Sequence, residues 1–218
     1  MSPSAPLRFG ILGCASITDA LIPAMRACPG CEVAAIASRD AGRAQAFAEA
    51  WQIPLAFGGY QDLLDAGVVD AIYNPLPNSL HAEWTIHALE AGLPVLCEKP
   101  LATSAVEARR VQAAALCAGQ PVAEAFMYRF HPLYDALLAT LRAGTIGEIV
   151  TLSSRFTFAL DDWSEVPASA ALGGGSLADV GCYPVNAVRL LAGAEPTRVV
   201  AFSRQGAVDH TLLGMLRF

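Results

Sequence analysis

The first part of the chain alternates short apolar runs with longer stretches in which apolar positions recur every three or four residues. Such an alternation predicts strands that each lead into an amphipathic helix, which builds a parallel sheet with right-handed crossovers. The predicted strands are Leu7–Gly13, Val33–Ala37, Val69–Tyr73, Pro94–Cys97 and Val122–Phe126. The predicted helices are Ser16–Cys28, Asp40–Trp51 with Asp40 as its cap, Asn78–Ala91 and Thr103–Ala118. The pattern therefore predicts an α/β fold with a doubly wound parallel sheet.

After about residue 127 the pattern changes. It predicts a helix at Pro132–Ala143, a long strand at Glu148–Ala159, a glycine-rich entry into a helix at Gly175–Leu191, and two final strands, of which the last is Asp209–Phe218. This order is typical of an α+β domain with an open, mostly antiparallel sheet. We therefore expect one domain at residues 1–122 and a second at 123–218, whose sheet looks truncated at its end.

Composition narrows the class of protein. Hydrophobic residues make up 54% and mean hydropathy is +0.42, yet charged residues, Pro or Gly interrupt every apolar run before it reaches the ~20 residues of a spanning helix. A net charge of −6 argues against a broad nucleic-acid surface. Six dispersed cysteines and an opening without a signal core indicate reduced thiols in the cytoplasm.

A candidate nucleotide site lies at Gly10–Ile17, where a strand enters a helix. Gly13 can make the tight turn, and the small Ala15 lets backbone amides approach a pyrophosphate at the helix N-terminus. Ala15 and Thr18 break the strict three-glycine fingerprint, so a plain strand-turn-helix junction stays open as an alternative.

The end of the second strand bears on the choice of cofactor. NAD-selective sheets usually offer Asp or Glu there, whereas this chain offers Ser38 and Arg39, with Arg43 one helical turn further on. A hydroxyl and a guanidinium suit a 2′-phosphate, which favours NADP, although NAD stays possible. The alternative is a solvated turn that only caps a helix.

Lys99 follows a short apolar strand in the sequence Glu98-Lys99-Pro100. In open α/β sheets ligands bind beyond the carboxyl ends of the strands, so a lysine there can meet a nucleotide bound at another strand end. Lys99 is therefore the first candidate catalytic residue. The linker Asn74–His81 brings further polar side chains to the same edge, although Asn78 could be only a helix cap.

A second polar pair, Asp179 and Tyr183, lies one helical turn apart, just after Gly173–Gly175. A phenol transfers a proton at neutral pH only if its pKa is lowered, and a nearby ammonium such as that of Lys99 would do this. Without the other motifs the pair could be a structural polar stripe. The four histidines do not share a helix face, so no metal site is expected.

Taken together, these residues resemble the glucose-fructose oxidoreductase / inositol dehydrogenase / rhizopine-catabolism family (Gfo/Idh/MocA) of NAD(P)-dependent oxidoreductases. The resemblance extends over essentially the whole chain through Gly10–Ile17, Pro75–Trp84, Glu98–Pro100, Glu124–Pro132 and Gly173–Tyr183. Tyr183 places the chain near NADP-dependent D-xylose dehydrogenase and dimeric dihydrodiol dehydrogenase, since inositol dehydrogenase-like members carry histidine there.

The resemblance implies a Rossmann domain followed by an open-sheet domain whose outer face makes a homo-oligomer interface. It implies that Tyr183 exchanges a proton with the substrate oxygen, that Lys99 hydrogen-bonds this oxygen, and that Asp179 orients the substrate and Lys99. Family cofactor contacts match Gly13, Ala15, Ser16, Ile17, Ser38, Arg39, Leu76, Asn78, His81 and Glu98. The Lys99–Pro100 bond is expected to be cis.

The expected function is an oxidoreductase that passes a hydride between the nicotinamide of NADP and a hydroxyl of a sugar or cyclic diol. Two departures from the family stand beside it: Asp161–Ala171 contains no Arg where relatives usually have one, and relatives continue beyond Phe218. The alternatives are a catalytically silent NADP-binding regulator and a truncated, non-functional member of the family.

Overall fold

The structure is a computed structural model that describes residues 5–160 and 166–218. The chain divides into two compact units, Met1–Ala125 and Phe126–Phe218. Within the described residues, the first unit contains a six-stranded parallel sheet and the second a two-stranded antiparallel sheet. The predicted mixed α/β architecture is confirmed.

The first unit alternates strands and helices. Its strands are β1 (Leu7–Leu12), β2 (Cys31–Ala37), β3 (Leu55–Phe57), β4 (Ala71–Asn74), β5 (Val95–Cys97) and β6 (Val122–Glu124). Its helices are α1 (Thr18–Ala27), α2 (Ala41–Trp51), α3 (Tyr60–Asp65), α4 (Asn78–Glu90) and α5 (Ala105–Ala118). The strand order is β3-β2-β1-β4-β5-β6, so the order reverses between β1 and β4. Ligands of open α/β sheets bind at such a reversal, beyond the carboxyl ends of the strands.

The central strands are apolar on both faces because helices cover both sides of the sheet. Successive residues of β1 belong to different core clusters, Ile11 to one and Leu12 to the other, and Tyr73 and Ile72 of β4 are divided in the same way. Since successive side chains of a strand point to opposite faces, the two clusters lie on opposite sides of the sheet. This explains why these strands appear in the sequence as continuous apolar runs.

Local sequence signals locate most of these elements. The Asp40 side chain accepts a hydrogen bond of 3.0 Å from the Arg43 amide, which confirms the predicted helix cap. The sequence pattern does not predict β3 and α3, which span only three and six residues. Segments of this length contain less than two periods of a strand or helix pattern, so hydrophobic periodicity cannot identify them.

The second unit contains α6 (Pro132–Arg142), α7 (Cys182–Ala192), β7 (Arg198–Gln205) and β8 (Asp209–Arg217). A 3₁₀ turn, Met127–Phe130, precedes α6, and a π-helical turn, Leu177–Gly181, leads directly into α7. The helix predicted at Gly175–Leu191 is therefore corrected: its first part is this π turn, and regular α-helix begins only at Cys182.

The strand predicted at Glu148–Ala159 is wrong. Residues 148–159, all of which the structure describes, contain no strand. A strand requires a partner for its backbone N–H and C=O groups. Among the described residues β7 pairs only with β8, and the side chains of Val150 and Phe158 are 93% and 51% exposed. The apolar alternation of this segment predicted a strand, but alternation does not supply the partner.

Candidate active site

Apart from Asn78 and His81, which belong to α4, the predicted cofactor residues lie in loops at the carboxyl edge of the first sheet. The loop after β1 contains Gly13–Ile17, the loop after β2 contains Ser38 and Arg39, the loop after β4 leads through Leu76 to Asn78, and the loop after β5 contains Glu98 and Lys99. Because all six strands are parallel, these loops share one edge. The edge includes the reversal of strand order between β1 and β4.

Gly13 makes the tight turn that follows β1 at this edge of the sheet. Its φ is +92°, and a Cβ there would lie 2.9 Å from Leu76 Cδ2. The buried Thr18 stabilises the turn at the start of α1, because its hydroxyl donates a hydrogen bond to the Ala15 carbonyl. Ser16 and Ile17 are exposed. A Cβ-free turn that leads into a helix N-terminus fits the pyrophosphate of a dinucleotide.

Two guanidinium groups flank that turn. Arg43 Nη2 donates to the Cys14 carbonyl at 2.8 Å, and Arg39 lies beside the Tyr60 hydroxyl. Burial raises the pKa of the Tyr60 phenol, and the nearby Arg39 opposes that rise. Ser38 is buried, with its Oγ 3.3 Å from the Asp40 amide nitrogen, so its hydroxyl also supports the turn. This concentration of positive charge fits a 2′-phosphate.

The loop after β4 is held by Asn74, which the sequence analysis did not assign. Its side-chain amide donates to the His81 carbonyl and to Thr85 Oγ1, both at 3.1 Å, and its Oδ1 accepts the Leu76 amide at 3.3 Å. The available sequence signal was an asparagine at the end of an apolar strand and before two prolines, and the structure shows that it is fully buried. The cap position of α4 is Pro77, so Asn78 is the first residue of the helix rather than its cap.

His81 lies behind the loops that follow β4 and β5. It is 1% exposed, with Nδ1 2.7 Å from the Pro100 carbonyl oxygen and Nε2 2.6 Å from the Leu76 carbonyl oxygen. Burial lowers the pKa of His81 below its ordinary value, although both carbonyls favour the protonated ring. The neutral imidazole has one N–H, which donates to one of these two main-chain carbonyls, and the ring packs between the two loops of the site.

Acidification is expected to destabilise the first unit through His81. The unfolded chain binds a proton at the ordinary histidine pKa near 6.5, whereas burial lowers the pKa in the folded chain. The free energy of unfolding is therefore unaffected by the titration of His81 above that pH. Below it, the free energy of unfolding declines by up to about 1.4 kcal/mol per pH unit until the folded pKa is reached. Urea unfolding at several pH values checks this. His81→Asn should reduce the slope, whereas a replacement of the exposed His210 should not.

Lys99 lies in a loop whose main chain is held on both sides. The Glu98 amide donates to the Asn74 carbonyl at 3.0 Å, and the Leu101 amide donates to Glu124 Oε1 at 2.8 Å. The Lys99–Pro100 bond is cis, as the resemblance implies. The Lys99 side chain is partly accessible. This loop presents a cation at the carboxyl edge of the sheet on a constrained backbone.

The Glu98 carboxylate is also fixed. The Tyr73 hydroxyl donates to Glu98 Oε1 at 2.8 Å, and Oε2 lies 3.3 Å from the Lys99 amide nitrogen. Glu98 was a predicted site residue, but Tyr73 was assigned only to an apolar strand. A phenol within a buried strand was the signal that could have identified it.

In the second unit, Asp179 belongs to the π-helical turn and Tyr183 to the first turn of α7. The Tyr183 ring packs edge-on against Phe126, with centroids 5.4 Å apart, and contacts Phe156 and Tyr128 at 5.4 and 6.1 Å. Its hydroxyl lies 3.8 Å from Met127 Sδ. Aromatic packing therefore fixes the ring of the predicted proton donor, which the four-residue spacing could not show.

A long-range contact holds the beginning of that helical segment. Asp209 of β8 accepts hydrogen bonds from Ser176 Oγ at 2.6 Å and from the Leu177 amide at 2.8 Å. Gly175 has a φ of +119°, and a Cβ there would overlap Asp209 Oδ1. The last glycine of the triple-glycine motif thus makes room for a carboxylate that caps the segment carrying Asp179.

In the part of the chain that the structure describes, no three His, Cys, Asp or Glu side chains are grouped so as to hold a metal ion. No helix among the same residues is long and apolar enough to cross a membrane.

Comparison with known protein families gives two matches. Residues 7–126 match the oxidoreductase family with an NAD-binding Rossmann fold (GFO_IDH_MocA), and residues 134–218 match the GFO/IDH/MocA C-terminal domain. Together they extend over nearly the whole chain.

Individual relatives agree with these matches. D-xylose 1-dehydrogenase (NADP(+)) 2 of Haloferax volcanii is 46% identical over 217 residues, which cover 97% of this chain and 66% of the relative. A solved structure of a 3-ketoreductase from Actinomadura kijaniata, in complex with NADP and TDP-benzene, superposes with a TM-score of 0.90 at 39% identity and covers 97% of this chain and 66% of that protein.

A third relative is trans-1,2-dihydrobenzene-1,2-diol dehydrogenase of Mus musculus, which is 33% identical in an alignment of 223 residues that covers 97% of this chain and 65% of the relative. The chain thus spans about two thirds of the length of these three relatives.

Proposed function

Because the chain belongs to the GFO/IDH/MocA oxidoreductase family, we propose that it is an NADP-dependent dehydrogenase acting on a hydroxyl group of a sugar or cyclic diol. One observation carries the proposal: the sheet edge that combines a Cβ-free turn at Gly13 with the guanidinium groups of Arg39 and Arg43. The similarity to a xylose dehydrogenase, a dihydrodiol dehydrogenase and an NADP-bound ketoreductase supports it.

In this proposal the first domain, residues 1–122, holds the cofactor, and residues 123–218 form the substrate and oligomerisation domain. The turn Gly13–Ile17 receives the pyrophosphate, and Ser38 and Arg39 receive the 2′-phosphate. The remaining contacts to the dinucleotide are assigned to Leu76, Asn78 and Glu98, whereas His81, predicted as a contact, is 1% exposed and supports these loops from behind. When bound, the nicotinamide would supply the hydride acceptor for oxidation and, in its reduced form, the hydride donor for reduction. NAD is the weaker cofactor, because β2 is followed by Ser38 and Arg39, and the next carboxylate, that of Asp40, accepts the Arg43 amide as the cap of α2.

The side chains of this protein supply the proton chemistry. In oxidation the phenolate oxygen of Tyr183 accepts the proton of the substrate hydroxyl, and in reduction the phenol returns it to the carbonyl oxygen. Lys99 donates a hydrogen bond to the same oxygen, where negative charge develops. Asp179 orients the substrate through its hydroxyl groups. Electrons and protons balance, because one hydride and one proton leave the substrate together.

We further propose that the protein forms a homo-oligomer through the sheet of β7 and β8. One face of this sheet carries the cross-strand pairs Val200–Met215 and Phe202–Leu213, whose side chains are 47–72% exposed. An apolar patch of this kind is typical of an interface.

All six cysteines are free, which supports a reducing, cytoplasmic environment.

Incubation with NADP and a panel of aldoses, inositols and dihydrodiols tests the activity through the absorbance band of reduced nicotinamide. At least one of these substrates should be oxidised. If folded protein that binds NADP is silent across the whole panel, catalysis is rejected in favour of a silent, NADP-binding regulator.

Arg39→Ala is expected to weaken NADP binding by about 10- to 100-fold, because the 2′-phosphate loses a charge-assisted hydrogen bond worth about 1.5–3 kcal/mol. Binding of NAD should change less than twofold, since NAD lacks that phosphate. Calorimetric titration with both nucleotides measures the two affinities. Arg110→Ala, which removes an exposed arginine from α5, should leave both unchanged. An equal loss for NAD and NADP would contradict the assignment.

A further inference from the structure

We infer that Tyr73 is a positioning residue of the cofactor site, which acts by orienting the carboxylate of Glu98. The inference rests on the proposed function, since it concerns the binding of the same dinucleotide. Tyr73 itself is 0% exposed in the middle of β4, so it reaches the site only through its hydroxyl.

The position of Tyr73 in the sheet directs that hydroxyl. Tyr73 pairs with Ile11 of β1 on one side and with Leu96 of β5 on the other. Gly13 follows Ile11 by two residues, and Glu98 follows Leu96 by two residues. Tyr73 thus lies in the strand between the turn proposed for the pyrophosphate and the loop that carries Lys99.

Packing alone does not explain a tyrosine here. The other buried residues of its core cluster carry no polar side-chain group, and they are Ile11, Ile22, Met25, Val33, Ile36, Ala48 and Ile53. A phenylalanine would fill that space without bringing a polar group into the core. A buried phenol needs a partner for its hydroxyl, and here the O–H donates to Glu98 Oε1 at 2.8 Å.

The contact restricts a flexible side chain. Glutamate loses considerable rotamer freedom when it is fixed, and Tyr73 provides that restraint from the core before any ligand arrives. One oxygen of the Glu98 carboxylate accepts a hydrogen bond from the Tyr73 hydroxyl, and the other lies 3.3 Å from the Lys99 amide nitrogen. Each oxygen keeps a second lone pair with which it can accept a hydroxyl or amide hydrogen of the dinucleotide. Tyr73 therefore orients the acceptor carboxylate of Glu98 and, through it, the beginning of the loop that contains Lys99.

Tyr73→Phe tests the inference, because it removes the hydroxyl and keeps the ring. The expected result is about three- to tenfold weaker NADP binding, measured by calorimetric titration. Glu98→Ala removes the carboxylate, and adding Tyr73→Phe to it should cause no further loss, since the hydroxyl acts through Glu98. Tyr134→Phe, in the second unit, is the matched control and should bind NADP as the unmodified chain does.

The outcomes separate the inference from the proposed function. If the unmodified chain does not bind NADP, the proposed function fails. If it binds and Tyr73→Phe binds equally well, or if the two substitutions weaken binding additively, the positioning role is overturned. If Tyr73→Phe lowers the melting temperature too far for titration, Glu98→Asp replaces it, because a shorter side chain withdraws the carboxylate and leaves the core unchanged. Full NADP affinity in Glu98→Asp would also overturn the inference.

Discussion

Lys99→Met is expected to lower kcat by about 10²–10³-fold while the Kd for NADP changes less than threefold. Removal of one donor from a developing oxyanion has a cost of this size. Methionine keeps the length and much of the volume of the side chain and removes only the ammonium. The backbone on both sides of residue 99 is held by Asn74 and Glu124, so the loop should keep its conformation. Steady-state kinetics on an accepted sugar, together with NADP titration, measure both effects.

The sequence offers a sharp set of controls for this experiment. Lys99 is the single lysine of the chain, whereas the other 13 of the 14 basic residues counted as Lys or Arg are arginines. An ammonium is compact and shifts its pKa readily, whereas a guanidinium is planar and always charged. Lys99→Arg should therefore restore only part of the activity. Arg109→Met, on the exposed face of α5, should have no effect. Unchanged kcat in Lys99→Met would remove Lys99 from the mechanism.

The single lysine also allows a test without mutation. An amine-reactive reagent can modify only the chain's N-terminus and Lys99. We expect modification of Lys99 to inactivate the protein. Bound NADP should slow this modification, since the nucleotide would cover the sheet edge where Lys99 lies. Mass spectrometry of the modified peptide distinguishes the two amines.

The sequence predicts those parts of the site that depend on neighbouring residues. Gly13 follows an apolar strand and precedes a helix, so its turn is identifiable within a few positions. Asp40 three residues before Arg43 is a local cap, which the structure confirms. Lys99 is placed at the sheet edge because the strand before it is short, apolar and buried. Each of these predictions uses only the period of one element and the residue that ends it.

Contacts between distant positions could not be predicted in this way. Tyr73 and Glu98 are 25 positions apart, and Ser176 and Asp209 are 33 apart. Hydrophobic periodicity shows which face of an element is buried but not which residue lies opposite. The same limit explains the wrong strand at Glu148–Ala159, since its alternation was visible and its missing partner was not. Family resemblance narrowed the roles of single residues, but it did not reveal the contacts that hold them.

The largest structural effect is expected from Gly175→Ala. A φ of +119° is strained for any residue with a Cβ, and the added carbon would displace the Asp209 carboxylate from Ser176 and Leu177. Strain and the lost cap together should lower the free energy of unfolding by about 2–4 kcal/mol. Activity should also fall, because the segment carrying Asp179 and Tyr183 begins at this cap. Urea unfolding followed by circular dichroism measures the first effect, and kcat the second.

Gly193→Ala separates backbone strain from the lost cap. Gly193 ends α7 with a φ of +64°, and a Cβ there would meet no atom within 4 Å. This substitution should cost about 1 kcal/mol and leave kcat unchanged. Asp209→Ala removes the cap without strain, so it should reproduce the fall in kcat with a smaller loss of stability. If Gly175→Ala resembles Gly193→Ala in both measurements, Asp209 does not hold the segment, because the clash would then have no consequence beyond the strain of a positive φ.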